Sequence, residues 1–328
     1  MNNYTNLCTN DKLTELNNKE LLDFIYLTYT SPLEYYPKLG LNNNITFGVE
    51  LEFEVNNIMK IHDYLIKNGY DPAWLLHKEI SISQGYEISS PPLQDTKEDW
   101  HSLKDICTFL NECTIITNRC GSHIHIGSQI LKNKPKNLLN LMLLWSVYEN
   151  IIYRFSYGKI NMARPKIMIY AKTARKLLWD KYLEECDKKE ITLEKLLKGV
   201  ADKRSTAINF YNLKTISDFT LGSTIEIRTP NGTLLKEIWQ NNINFFVKLL
   251  QYATKDDFNE EIIVRRHYEN IGYLNEYKDY EKLFLEQALE LSDLIFDNNR
   301  DKINFLKIYL KLFDQRQYNN IKQKILRK

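Results

Sequence analysis

The run ITFGVELEFEVNN, residues 45 to 57, alternates apolar and acidic side chains with a period of two. Val49, Leu51, Phe53 and Val55 fall on one side and Glu50, Glu52 and Glu54 on the other, the pattern of a half-buried strand over 45 to 55. Such a strand belongs in an antiparallel sheet with one covered face and one wet face. Other runs repeat the device. WLLHKEISIS and GYEISSPP read as paired strands, the second stopped by Pro91 and Pro92. TNRCGSHIHIGS reads as a strand opened by Gly121, with Ile124 and Ile126 facing one way and His123 and His125 the other. STAINFYNL reads as a strand, and STIEIRTP sets Ile225 and Ile227 against Glu226 and Arg228.

Between the strands, apolar residues at helical spacing predict helices over 57 to 68, 96 to 113, 136 to 156, 171 to 198 and 234 to 254. Residues 1 to 44 form a lead-in arm whose Leu13, Leu16, Leu21, Leu22 and Ile25 read as a short helix or two. From 256 onward the chain reads as helical and charged, with Tyr280, Leu283, Leu285, Leu289, Leu291 and Ile295 on an apolar stripe. The expectation is an α+β protein with a sheet-bearing domain at 45 to 255 and a helical extension, 256 to 328, packed on it.

An antiparallel sheet with one wet face explains Glu50, Glu52 and Glu54 taken alone. The two histidines are harder to place there, because a wet strand ordinarily carries Thr, Lys or Glu. Six carboxylates and imidazoles on one face would repel or protonate one another unless cations lay among them, and an oxygen-rich set suits Mg2+ or Mn2+ better than zinc. Two divalent ions point to phosphate chemistry. A Walker A loop is absent, the Gly158 and Lys159 pair lacking a following Ser or Thr, and so are G-x-G-x-x-G and G-x-S-x-G. Nucleotide would then be held by metals and Arg.

Charge excludes one class of partner: 44 Lys and Arg against 42 Asp and Glu leave a net charge of +2, no footprint for nucleic acid or an anionic membrane. Five cysteines with no C-x-x-C read as free thiols. The N-terminus lacks the basic and apolar pattern of a signal peptide, and no segment reaches 18 uninterrupted apolar residues, so a cytoplasmic chain is expected.

The four blocks F-G-V-E-L-E-F-E, H-K-E-I-S-I-S-Q-G-Y-E-I-S-S-P-P, G-S-H-I-H-I-G and T-I-E-I-R-T-P-N-G, in that order, resemble the amidoligase family of the glutamine synthetase and glutamate-cysteine ligase superfamily of carboxylate-amine ligases. The resemblance covers roughly residues 45 to 252. It implies a curved antiparallel sheet of the glutamine-synthetase type around two metals, with helices on the other face. It further implies that Glu50, His123 and Glu226 hold the metal bridging the nucleotide phosphates, and that Glu52, Glu79 and Glu87 hold the other, near the acceptor carboxylate. His125 would touch an ATP phosphate and Arg228 the γ-phosphoryl group. The family commonly carries Asp where Glu79 stands.

The activity so implied is ATP- and Mg2+-dependent amide formation through an acyl phosphate, on an amino acid, peptide or protein substrate. Arg204, Arg164 and Asn209 are candidate further contacts to phosphate or carboxylate, with Lys172 behind them, and Glu54 is expected in solvent beyond the metals. His62, His77, His101 and His267 are expected at the surface or in packing. Two rivals stand beside this reading. One is a metal-dependent hydrolase or cupin-like enzyme using His123, His125 and a Glu at a single metal; the other is a noncatalytic nucleotide-binding homologue.

Overall fold

The computed structural model describes residues 17–27, 38–157, 167–214, 222–269 and 283–310. Leu13, Leu16, Tyr280 and the candidate Arg164 lie outside the described residues. Six strands form one antiparallel sheet: β1 (Phe47–Glu54), β2 (Leu75–Glu79), β3 (Gly85–Ser89), β4 (Ser122–Gly127), β5 (Ile208–Asn209) and β6 (Thr224–Ile227). Their order is β2-β3-β1-β4-β6-β5, an open sheet with the acidic strand β1 near its centre.

The helices in chain order are α1 (Asn18–Leu27), α2 (Met59–Lys67), α3 (Lys97–Cys113), α4 (Pro135–Tyr157), α5 (Ile167–Tyr170) and α6 (Arg175–Glu185). After them come α7 (Leu193–Leu197), α8 (Tyr211–Lys214), α9 (Lys236–Tyr252), α10 (Glu260–Glu269), α11 (Leu285–Ile295) and α12 (Asn299–Tyr309).

Alternation decides which face is covered. Val49, Leu51, Phe53, Ile88, Ile124, Ile126, Ile225 and Ile227 are all buried, in one core cluster with the inner sides of α3, α4 and α9. Each large side chain so buried contributes roughly 1.5–3 kcal/mol. α3 shows the local logic. Thr96 caps it by accepting from Asp99 N at 3.1 Å, Glu98 and Asp99 suit its positive end, and Trp100, Leu103, Ile106 and Leu110 share its buried side. Trp100 stacks on Phe47 of β1 with ring centroids 5.2 Å apart.

A buried carboxylate anchors the stretch leading into the sheet. Asp95 accepts from the backbone N–H of Leu39, Gly40 and Leu41 at 2.8, 2.6 and 2.8 Å and from Trp100 Nε1 at 2.7 Å. The C-terminal helices are joined to α4 and α6 by polar contacts: Tyr148 donates to Glu290, and Tyr182 and Lys136 donate to Glu260 at 2.6 and 3.0 Å, while Arg266 Nε of α10 donates to Glu290 of α11 at 3.0 Å.

Three expected elements differ. The strand through Ile80 and Ser83 ends at Glu79, whose own carboxylate accepts from Ser81 N at 2.6 Å and turns the chain, leaving Ile80 93% exposed. The return to β3 needs Gly85, because a Cβ there would meet Ile82 Cβ at 2.4 Å. STAINFYNL keeps only two strand residues: Asn209 Oδ1 accepts from Tyr211 N at 2.8 Å and bends the chain into α8. The single helix expected over 171 to 198 is broken into pieces. Residues 171–174 run beside the 205–207 segment instead, with Lys172 N donating to Ser205 O at 2.6 Å and Ala207 N to Lys172 O at 2.7 Å, and Thr192 starts α7 as a new cap.

Candidate active site

Strand register converts four sequence blocks into one cluster. Across β1 and its neighbours, Glu50 lies opposite His123 and Glu52 opposite Glu87; across β4 and β6, His125 lies opposite Glu226, and Asn209 of β5 also faces Glu226. Glu50, Glu87, His123, His125, Glu226 and Asn209 line a cleft of about 600 Å³ together with Glu79, Arg204, Tyr211, Asn212 and Arg228, and Glu52 is buried beneath them beside His123.

His123 sits at the centre. Its Nδ1 is 2.6 Å from Glu50 and 3.8 Å from Glu226, while its Nε2 is 3.5 Å from Glu52. Nε2 has no hydrogen-bond partner although the residue is only 5% exposed. Glu50, His123 and Glu226 bring ligand atoms within 4.8 Å of one another, and so do Glu52, Glu87 and His123. The imidazole thus stands between two groups of carboxylates, one at each nitrogen.

The electrostatics follow from crowding. Burial favours the neutral form of Glu50, but hydrogen bonds from His123 and His125 and their charges hold it well below the usual carboxylate range. At Glu87, burial and the repulsion of Glu50 push the carboxyl up to about 7, against the pull of His123 and the hydroxyl of Ser89 at 3.0 Å. Burial opposes charge on His125, yet its 2.9 Å contact with Glu50 and the charges of Glu50, Glu226 and Glu87 raise its pKa above the ordinary value. Glu52 is fixed by the N–H of Gly121, the residue that opens β4.

Polar neighbours orient the rest. Arg228 donates through Nη1 to Glu226 and through Nε to the carbonyl of Tyr170 at 2.8 Å. Asn209 Nδ2 donates to the other Glu226 oxygen at 2.6 Å. Arg204 is exposed and lies 3.5 Å over the ring of Tyr211 at the cleft wall.

The family model described as "putative amidoligase enzyme" matches residues 73–250, more than half of the chain. The chain belongs to the amidoligase family. No curated protein matches it. The matched stretch begins after β1, so Glu50 and Glu52 of this amidoligase join the site through the β1 pairings with β3 and β4. No helix among the described residues is long and apolar enough to cross a membrane.

Two expected positions differ in the amidoligase cleft. Glu79 lines it but belongs to neither ligand group, its Oε1 being engaged by Ser81 N; His123 stands with Glu52 and Glu87 where Glu79 was expected. Glu54 is not in open solvent. It accepts from Thr117 Oγ1 and from Arg119 Nη2, each at 2.6 Å, and pins the C-terminal end of β1 to the loop before β4. Glu54→Gln is therefore expected to lower stability by no more than about 1 kcal/mol in urea unfolding, since Arg119 is half exposed. Lys172 contributes backbone rather than side-chain contacts, and the buried His267 stacks on Trp179 with centroids 3.4 Å apart.

Several site residues were not foreseen. Thr224 Oγ1 lies 3.1 Å from His125 Nδ1 and accepts from Asn212 at 3.0 Å. Thr224 is two residues before Glu226 on β6 and so shares its face, a signal the T-I-E-I-R alternation contained. Asn212 and Tyr211 arrive through the turn after Asn209, which alternation does not reveal.

Proposed function

We propose that this amidoligase is an ATP-dependent carboxylate-amine ligase that forms an amide on an amino acid, peptide or protein substrate. The observation carrying this reading is His123, buried, with carboxylate groups at both ring nitrogens and Nε2 left unpartnered. Four carboxylates and one imidazole form a donor set suited to two Mg2+ or Mn2+ ions, with Glu50, Glu226 and His123 holding one and Glu52 and Glu87 the other. Bound there, divalent cations supply the charge neutralisation that lets an anionic carboxylate approach a polyphosphate.

The chain's own residues prepare the rest. His125, whose pKa its contact with Glu50 raises, stands at the cleft wall between Glu50 and Thr224 and adds favourable charge on the side where phosphate oxygens would lie. Arg228, held by the Tyr170 carbonyl and Glu226, places a fixed guanidinium where charge grows on the transferring phosphoryl group. The substrate carboxylate oxygen bonds the γ-phosphorus as the bond to ADP breaks; an amine nitrogen then forms the C–N bond as phosphate leaves and a proton is lost. No protein nucleophile is required. The hydrolase or cupin-like reading is weaker, because the sheet is open and His125 turns to Glu50 and Thr224, outside both ligand groups.

The test is ADP release with Mg2+ and ATP over mixtures of amino acids and peptides. Glu52→Ala is expected to reduce it by roughly 100-fold or more. Unchanged release in that variant contradicts the assignment.

A further inference from the structure

Behind the sheet, α4 buries two polar side chains one turn apart that do not line the cleft. Glu149 and Tyr153 are both fully buried. α4 departs from helical geometry at Tyr148, with φ −103° and ψ 15°, immediately before Glu149. Glu149 accepts from Ala174 N at 2.7 Å, Arg175 N at 3.1 Å and Trp145 Nε1 at 3.0 Å. Tyr153 donates to the carbonyl of Ala171. Both therefore grip the main chain of residues 171–175, one at each end.

The other edge of that strap serves the cleft. The carbonyl of Tyr170 accepts from Arg228 Nε at 2.8 Å. Lys172 bonds the backbone of Ser205 and Ala207, and Ala207 O in turn accepts from Arg228 N at 2.9 Å. Ser205 lines the cleft beside Arg204. Helix packing alone needs only apolar contact at this depth. Here the buried polar atoms are spent on strap peptide groups, and the strap's free carbonyl and N–H groups on the Arg228 side of the cleft.

We propose that Glu149 and Tyr153 are positioning residues that fix the Arg228 guanidinium through the 170–175 strap. The proposal rests on the reading of Arg228 as a phosphate contact. With Tyr153→Phe the Ala171 carbonyl loses its anchor, and with Glu149→Gln at least one strap N–H loses its acceptor. The strap then samples other positions and the Tyr170 carbonyl no longer holds Nε in one place.

The experiment measures Mg2+-dependent binding of a nonhydrolysable ATP analogue by calorimetry, and urea unfolding, for Tyr153→Phe, Glu149→Gln, Arg228→Ala and each double variant with Arg228→Ala. Each single positioning variant is expected to weaken analogue binding by about 3- to 10-fold, within the range for coupled neighbours. Added to Arg228→Ala, each is expected to weaken it no further. Affinity unchanged in Tyr153→Phe, or a loss that adds in full to that of Arg228→Ala, overturns the proposal, whatever happens to stability. Tyr153→Phe keeps the test available should Glu149→Gln fail to fold. If Arg228→Ala itself leaves affinity unchanged, or the unaltered chain does not bind the analogue, the reading beneath the proposal fails and the proposal falls with it.

Discussion

Glu87→Gln is expected to make the metal-free protein more stable at pH 8 while removing most of the stabilisation that Mg2+ confers. Glu87 is pushed up to about 7 from an ordinary 4.5 by burial first and by Glu50 second. A carboxyl whose pKa is raised on folding contributes stability that is full below its unfolded value and lost as pH rises through the folded one. Between about pH 4.5 and 7 the folded protein therefore loses stability at this position, and at pH 8 an ionised Glu87 is a net burden. One pKa unit corresponds to about 1.4 kcal/mol, so the relief from a neutral amide is of order 1–3 kcal/mol after allowance for solvent screening. On the proposed two-metal reading, the same amide gives up a charged ligand. A ligand present at 100 times its dissociation constant stabilises by about 2.7 kcal/mol, and the variant should forfeit most of that. Urea unfolding at pH 5 and pH 8, with EDTA and with Mg2+, separates the two effects. Lower stability than the parent at pH 8 in EDTA, or an undiminished response to Mg2+, contradicts the account.

Asp95→Ala is expected to lower stability by about 3–5 kcal/mol, the range for removing a buried charged partner and leaving its donors behind. Three consecutive backbone N–H groups and the Trp100 indole all end on this carboxylate, which is 4% exposed. Asp95→Asn should recover little, because its amide NH2 would point at N–H donors. Since Asp95 lies outside the cleft, analogue affinity should persist at temperatures where the variant remains folded. The loss is read by urea unfolding, and proteolytic cutting near residues 38–41 should appear before global unfolding. A change under about 1 kcal/mol would mean that these donors find water without difficulty.

Side-chain period made the sheet legible. In V-E-L-E-F-E, H-I-H-I and I-E-I-R a shift of one residue would turn every Glu and His inward, so the faces followed once each run was taken as a strand. Their ends were less legible, since each is set by one local hydrogen bond. Glu79 to Ser81 N stops β2, and Asn209 to Tyr211 N stops β5. The break in the helix expected over 171 to 198 arises from long-range pairing with Ser205 and Ala207, which helical spacing cannot register. The site had the same division. That Glu50, Glu52, Glu87, His123, His125, Glu226 and Arg228 share a face followed from alternation. That His123 stands between two carboxylate groups followed only from the β3-β1-β4 register, and the Glu54 pairing with Arg119 joins residues 65 apart.

The most direct test of the ligase account is the fate of oxygen. A panel of amino acids and peptides carrying 18O in their carboxyl groups is incubated with the protein, ATP, Mg2+ and candidate amines, and the released phosphate is analysed by mass spectrometry. The account predicts ADP together with phosphate that carries one 18O from the substrate carboxyl. ADP with unlabelled phosphate, or AMP with pyrophosphate, contradicts it.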